Sequence, residues 1–208
     1  MKIDILTIFP EMFAPLSESI VRRASDKSLV KIKVHNLRDW STDNHKSVDA
    51  SPYGGGPGMV MRVDVVDRAV EALGGEKSRI ILMDTKGPIY NQQKAEQLKS
   101  EEHLIIIAPH YEGIDHRVHE HIADEVISIG QYVLTGGEIP AMVVVDSVIR
   151  LLPGVLGNEE SLAEESYQTE GQIEYPQYTR PEEYKGWKVP EILLSGHHAQ
   201  INEWRKTN

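Results

Sequence analysis

Cysteine is absent from the 208 residues. Disulfides and thiolate metal sites are therefore excluded, and a reducing cytoplasm suits the chain. An excess of cations is absent too: 22 Lys and Arg stand against 32 Asp and Glu, a formal net charge of -10. That argues against a protein whose whole surface grips nucleic acid, although a local basic groove needs no net positive charge. No apolar run approaches the ~18–20 residues that span a bilayer, so no membrane association is expected. The opening Met1–Pro10 carries Asp4 within its apolar run and no cleavage pattern, so it reads as a first strand rather than a signal peptide. The Gly-x-Gly-x-x-Gly that follows the first strand of a dinucleotide-binding fold is missing, which sets aside a Rossmann dehydrogenase. Internal repeats and low-complexity tracts are missing as well.

What is present is an alternation of short apolar runs and helical patterns. With 40% hydrophobic residues, the chain can bury a sizeable core, in one ordinary domain or one with a small appendage. Strands are predicted at Ile3–Phe9, Val30–Val34, Arg79–Met83, Leu104–Ala108 and Val126–Ile129. Pro10 suits a first helical turn, a helix is predicted over Asp64–Leu73, and Asn91 can cap another that runs to about Lys99. Glu138-Ile139-Pro140 opens an apolar helix, Ala141–Leu152. Strands that are almost continuously apolar and alternate with helices argue for an α/β fold with a parallel sheet covered on both faces. Residues 157–190 are rich in Gly, Glu, Gln, Tyr and Pro, with little periodicity, and read as linker-like.

Three loops follow three of the predicted buried strands: 84–87, 109–113 and 130–137. In a parallel sheet these loops converge at the carboxyl edge, where ligands bind. The stretch Ser128–Pro140 is the most informative of them. Gly130, Gly136 and Gly137 bracket a loop whose backbone can approach a ligand closely, and Tyr132 and Leu134 offer a flat, mostly apolar wall. Any one such loop is ordinary in an α/β protein. Three together, with the further glycine-rich Tyr53–Met59, point to a pocket for a nucleoside-like molecule.

The motifs Tyr111-Glu112-Gly113-Ile114-Asp115 with Arg117, Ser128–Pro140, and Asp146-Ser147-Val148-Ile149-Arg150 resemble the bacterial tRNA (guanine-N1)-methyltransferase family of the SPOUT superfamily. So do Tyr53–Met59, Tyr178-Thr179-Arg180-Pro181, Leu194-Ser195-Gly196-His197-His198, and Ile8–Phe13. The similarity is collinear from residue 1 to about 206. It implies a SPOUT-type α/β domain, a parallel sheet flanked by helices with a C-terminal trefoil knot, which pattern reasoning would never propose. It divides the chain into a cofactor-binding methyltransferase domain (1–156), an interdomain linker (157–175), and a short helical region (176–208) that reads as part of a C-terminal tRNA-binding domain, since the family continues past Trp204-Arg205. It also implies a cytoplasmic homodimer with a shared active site.

The implied reaction moves a methyl group from S-adenosylmethionine to N1 of the guanosine at tRNA position 37. By resemblance, the cofactor is held by Leu82, Met83, Tyr111, Glu112, Gly113, Ser128, Ile129, Gly130, Tyr132, Leu134, Gly136 and Gly137. Guanine N1 carries a proton and is a poor nucleophile until a base removes it. A cation must then steady the charge that spreads onto O6. The family's arginine falls on Arg150 and its carboxylate, usually an aspartate, on Glu165. Taken alone, Glu165 reads as a solvated acid in an acidic linker, and Arg150 as a snorkelling surface residue. Glu112 is a candidate to orient cofactor or guanine, and Arg180 to contact phosphate. Assistance by Mg2+ belongs to the family, but no residue marks its ligand.

This chain departs from the family pattern at Ala108-Pro109-His110, where Cys-Gly-Arg is usual, and at Asp84-Thr85-Lys86-Gly87, where Ser-Pro-Gln-Gly is common. Two rival readings remain at the level of sequence. One is a metal-dependent hydrolase built on His110, His116, His119 and His121, although no recognised zinc spacing is present. The other is a cofactor- or RNA-binding module of the same fold that has lost catalysis.

Overall fold

In the computed structural model, residues 1–157, 165–167 and 171–207 are described. The chain forms two compact units, Met1–Glu159 and Glu160–Asn208.

The first unit is built on a five-stranded sheet. Its strands are β1 (Lys2–Thr7), β2 (Lys31–Asn36), β5 (Ser78–Met83), β6 (His103–Ile107) and β7 (Glu125–Ile127), in the order β2-β1-β6-β5-β7. Every pairing in it is parallel. The register lines up Leu6, Ile107, Leu82 and Val126 in one row across four strands, and Ile5, Ile106 and Ile81 in the adjacent row. Successive side chains of a strand point to opposite faces, so each row belongs to a different layer of core. The Leu6 row packs with Val65, Val66, Ala69 and Val70 of helix α2 (Val63–Leu73) and with Val118 of α4 (Arg117–His121). Helices α1 (Ser19–Asp26), α3 (Gln92–Leu98) and α5 (Glu138–Ile149) pack together elsewhere, α5 against both of the others. Apart from the half-buried Val126, both rows are fully buried, which is why β5 and β6 read as unbroken apolar runs rather than as alternations.

Local chemistry sets the element boundaries. Asn91 caps α3 as expected, its side chain accepting from Lys94 N at 2.9 Å. After β1 the chain forms a 3-10 helix, Pro10–Ser17, rather than an α-helix, and it contains two prolines that lack the N–H for a continuing ladder. β7 ends at Ile127, two residues short of the predicted run, because Ser128 leaves the ladder to bond with the segment after β5. Helix α5 ends at Ile149, and Leu151 and Leu152 continue only as turns bonded to Val148 and Ile149. The glycine-rich stretch before α2 is folded back by a short antiparallel pair, β3 (Asp49–Ala50) with β4 (Val60–Met61).

In the second unit, β8 (Glu183–Tyr184) pairs with β9 (Trp187–Lys188). Lys185 and Gly186 between them both have positive φ, as a two-residue hairpin turn requires. Two helices follow, Glu191–Leu194 and His198–Thr207. No helix among the described residues is long and apolar enough to cross a membrane.

Candidate active site

Strands β5, β6 and β7 end level with one another: Leu82 pairs Ile107, and Met83 pairs Ile127. The three loops that leave them therefore start side by side, and a cavity of about 310 Å3 opens between them. Eleven of the twelve residues expected at a cofactor site line it: Met83, Tyr111, Glu112, Gly113, Ser128, Ile129, Gly130, Tyr132, Leu134, Gly136 and Gly137. The twelfth, Leu82, is fully buried in the core, one residue behind the wall that Met83 forms. The lining charges are Asp84, Lys86, His110 and Glu112.

The loop after β7 runs between the other two and bonds to both. Ser128 N donates to Pro88 O at 3.0 Å, and Tyr90 N donates to Ser128 O at 2.7 Å. On the other side, Gly137 N donates to Pro109 O at 2.6 Å. A Cβ on Gly137 would stand 2.6 Å from Pro109 Cδ, so only glycine permits this approach. Tyr90 also fixes α5, its hydroxyl 2.7 Å from that of Ser147, and burial pushes the phenol above its usual pKa.

The loop after β6 is held by the β4 segment. Glu112 N donates to Met59 O at 3.1 Å, Met61 N to Gly113 O at 2.9 Å, and Asp115 N to Met61 O at 3.0 Å. Tyr111 sits at φ 62, a left-handed conformation that a bulky residue adopts only where its surroundings impose it. Beyond it, Arg117 forks onto Asp115 at 2.9 and 2.7 Å and holds that carboxyl below its usual range.

Two features of the departing loops are explained by the packing. Asp84 does not aim a bare charge into the cavity. Its carboxylate accepts from Lys86 N at 2.9 Å and lies 3.1 Å from His119 Nε2. Pro109, which has no N–H to offer a ligand, uses its carbonyl and ring to seat Gly137.

The histidines predicted as a cluster do not converge on one point, although the rings of His116 and His119 lie 4.9 Å apart. His110 faces Glu138, His119 faces Asp84, and His116 and His121 are exposed beside Glu120. Among the described residues, no three His, Asp or Glu groups gather in a metal-holding arrangement.

Sequence reasoning did not single out Glu138. This carboxylate is 1% exposed, at the start of α5, with Thr7 Oγ1 donating to Oε1 at 3.0 Å and His110 Nδ1 3.3 Å from Oε2. Only a charged residue opening an otherwise apolar helix hinted at it. Arg150 caps the C-terminus of α5 and is half-buried; Glu165 is half-buried in the second unit. Neither lines the cavity.

The family described as tRNA (Guanine-1)-methyltransferase TrmD matches residues 1–208. The chain belongs to this family. Among curated relatives, a tRNA (guanine-N(1)-)-methyltransferase of Brevibacillus brevis is 58% identical over 207 residues, covering 99% of this chain and 85% of the relative. A Dictyoglomus turgidum protein of the same name is 56% identical, over 99% of this chain and 84% of its own. One from Bacillus licheniformis is 55% identical, over 99% and 86%. Membership of the tRNA (guanine-1)-methyltransferase family makes the chain a methyltransferase and gives the cavity a reason for its composition: an α/β methyltransferase needs a site for its methyl donor beside the sheet's carboxyl edge. Neither the dehydrogenase nor the metal-hydrolase reading finds support in this similarity or in the site.

Proposed function

We propose that this protein transfers a methyl group from S-adenosylmethionine to N1 of the guanosine at tRNA position 37. The observation that carries the reading is the strand-end cavity, whose lining includes eleven of the twelve expected residues, in a chain that matches the family from end to end. The cavity suits the donor. Its volume falls at the lower end of the ~300–1,000 Å3 of small-molecule sites. Tyr132 and Leu134 present partly exposed apolar surface for an adenosine, and Gly113, Gly130 and Gly136 line the cavity without side chains to fill it. S-adenosylmethionine supplies an electrophilic methyl on a sulfonium. In this reading, Leu82 supports the wall from behind.

The Glu165 carboxylate accepts the guanine N1 proton, and the Arg150 guanidinium steadies the charge that moves to O6. Arginine suits that role because it stays charged and offers forked donors. Residues 128–140 are assigned as the knot loop, a reading supported by the hydrogen bonds of this stretch to the segments on both sides. The chain divides into 1–156, a linker at 157–175 and a tRNA-contacting region at 176–208; a boundary near 157 is supported by the two compact units, Met1–Glu159 and Glu160–Asn208. A homodimer is supported by the exposed Ile89, Val133, Ile139 and Val143 of the first unit. The absence of a long apolar helix among the described residues is compatible with action in the cytoplasm. No residue is assigned to Mg2+, because no cluster of three ligands is present among those described.

Calorimetry with S-adenosylmethionine, followed by methyl transfer to tRNA transcripts with G or A at position 37, tests the reading. Binding together with transfer to the G transcript alone is expected. Absence of binding at millimolar donor would overturn it.

A further inference from the structure

His110 in the cavity wall forms, with Glu138 buried behind it, an ionisable pair that the proposed chemistry does not use. Glu138 is 1% exposed, and each of its oxygens has a partner. Thr7 Oγ1 donates to Oε1 at 3.0 Å, and Oε2 lies 3.3 Å from His110 Nδ1. A buried carboxylate needs donors, and its place in the first turn of α5 adds the helix dipole. Glu138 therefore holds the hydrogen of the imidazole on Nδ1, which leaves Nε2 to gain or lose the second proton.

His110 is set firmly. Its backbone N–H donates to Met61 Sδ at 3.1 Å, and its ring meets those of Phe9 at 4.7 Å and Tyr111 at 5.5 Å. Among the described residues, Glu138 is the one charged group within ion-pair distance of it. Tyr111 is the other titratable neighbour, and Thr7, Phe9 and Met61 bring no charge. Across the cavity, the charged lining groups are Asp84, already engaged by His119, Lys86 and Glu112.

The pair is tied directly to the cavity loop. A Cβ on Gly136 would lie 2.5 Å from His110 Nδ1 and would also collide with Glu138 Oε2. The loop backbone thus lies directly over the pair. A cavity of about 310 Å3 is also small. Charges within ~8 Å of one another remain largely unscreened at physiological ionic strength, so a charge close behind the wall acts on whatever is bound.

We propose that the Thr7–Glu138–His110 relay makes this cavity discriminate a cationic sulfonium ligand from the neutral thioether left after methyl transfer. This rests on the assignment of the cavity as the methyl-donor site. With His110 neutral, the pair carries the single negative charge of Glu138 and favours the cation. With His110 protonated, the pair is neutral overall and that preference is lost. The amino-acid ends of donor and product are alike, so their contributions cancel in a ratio of affinities. The ratio isolates the sulfonium.

The test is calorimetric affinity of the full chain for S-adenosylmethionine and for S-adenosylhomocysteine at a series of pH values between about 5 and 8, where imidazoles change charge. The donor-to-product preference is expected to fall about three- to tenfold toward acid. In His110→Gln, neutral at every pH, it should remain flat. In Glu138→Gln it should be smaller at neutral pH. An identical pH dependence in the parent and in His110→Gln would overturn the proposal, while leaving the cavity as a donor site. Failure of both ligands to bind at any pH would instead overturn the site assignment on which it rests. Should Glu138→Gln fail to fold, the parent and His110→Gln comparison still decides.

Discussion

The backbone N–H of Gly137 donates to Pro109 O at 2.6 Å, and its Cα rests against the proline ring with no room for a side chain. Through this contact the loop after β7 closes against the loop after β6, so the shape of the cavity depends on a missing methyl group. Gly137 has φ -83 and ψ -1, which alanine adopts without strain. Gly137→Ala therefore isolates the steric effect. It should destabilise the fold by about 1–3 kcal/mol, the usual cost of overpacking. Donor affinity should fall at least about tenfold, since ~1.4 kcal/mol of displacement is enough. Chemical denaturation and calorimetry would measure the two. Unchanged affinity would mean that the loops can part without cost to the site.

Leu82 and Met83 are neighbours with different jobs. Leu82 lies in the Leu6–Ile107 row of the core, and Met83 lines the cavity. Leu82→Ala should cost about 2–5 kcal/mol of stability, as large-to-small core changes do, with donor affinity held within about twofold. Met83→Ala should show the reverse balance. Thermal unfolding with and without S-adenosylmethionine separates them, and a greater loss of affinity in Leu82→Ala would contradict the placement.

Asp4 is a buried carboxylate on β1, 1% exposed, with Lys2 at 2.6 Å, His35 at 2.6 Å and His103 at 2.7 Å. Burial acts to raise its pKa, but the hydrogen bonds from Lys2, His35 and His103 prevail and lower it. A lowered folded-state pKa means stability that is fully present above the unfolded value of ~3.9 and is lost as pH falls toward the folded one. Asp4→Ala should cost about 3 kcal/mol near neutrality, because three donors lose their shared acceptor. The gap between parent and variant should stay constant down to about pH 5 and narrow below about pH 4. Urea unfolding across pH would reveal a gap that widens in acid, if the sign were wrong.

Arg150→Ala should slow methyl transfer by roughly 10²–10³-fold while donor affinity changes little, as expected for a group that acts on developing charge. Glu165→Gln should likewise spare donor binding and remove roughly 10²-fold or more of the rate, with the acidic limb of the pH–rate profile lost. Single-turnover transfer measures both. Equal loss of binding and rate in either variant would refute its assigned role.

The parallel sheet was legible because β5 and β6 are buried on both faces and so read as runs, with Asn91 and Pro10 marking element starts nearby. The lining of the cavity was legible because three loops, each ordinary alone, leave three buried strands and match the motifs of one family. Helix α4 was given no bounds, and the hairpin β8–β9 was missed. Arg117–His121 is a single turn, too short to show a period, and a two-residue strand has no alternation to read. The histidine cluster misled because closeness along the chain says nothing about where each ring points. His119 turns to Asp84 and His110 to Glu138, partners 35 and 28 residues away.

By itself, the sequence determined the elements, the strand-end loops and the family, since hydrophobic period, glycine placement and long ordered motifs are all written along one dimension. Only the tertiary structure decided which charges meet. Thr7 and Glu138 lie 131 residues apart, and Asp4 and His103 lie 99 apart. Hydrogen bonding acts over about 3 Å, and no local pattern encodes which distant segments the sheet will bring that close.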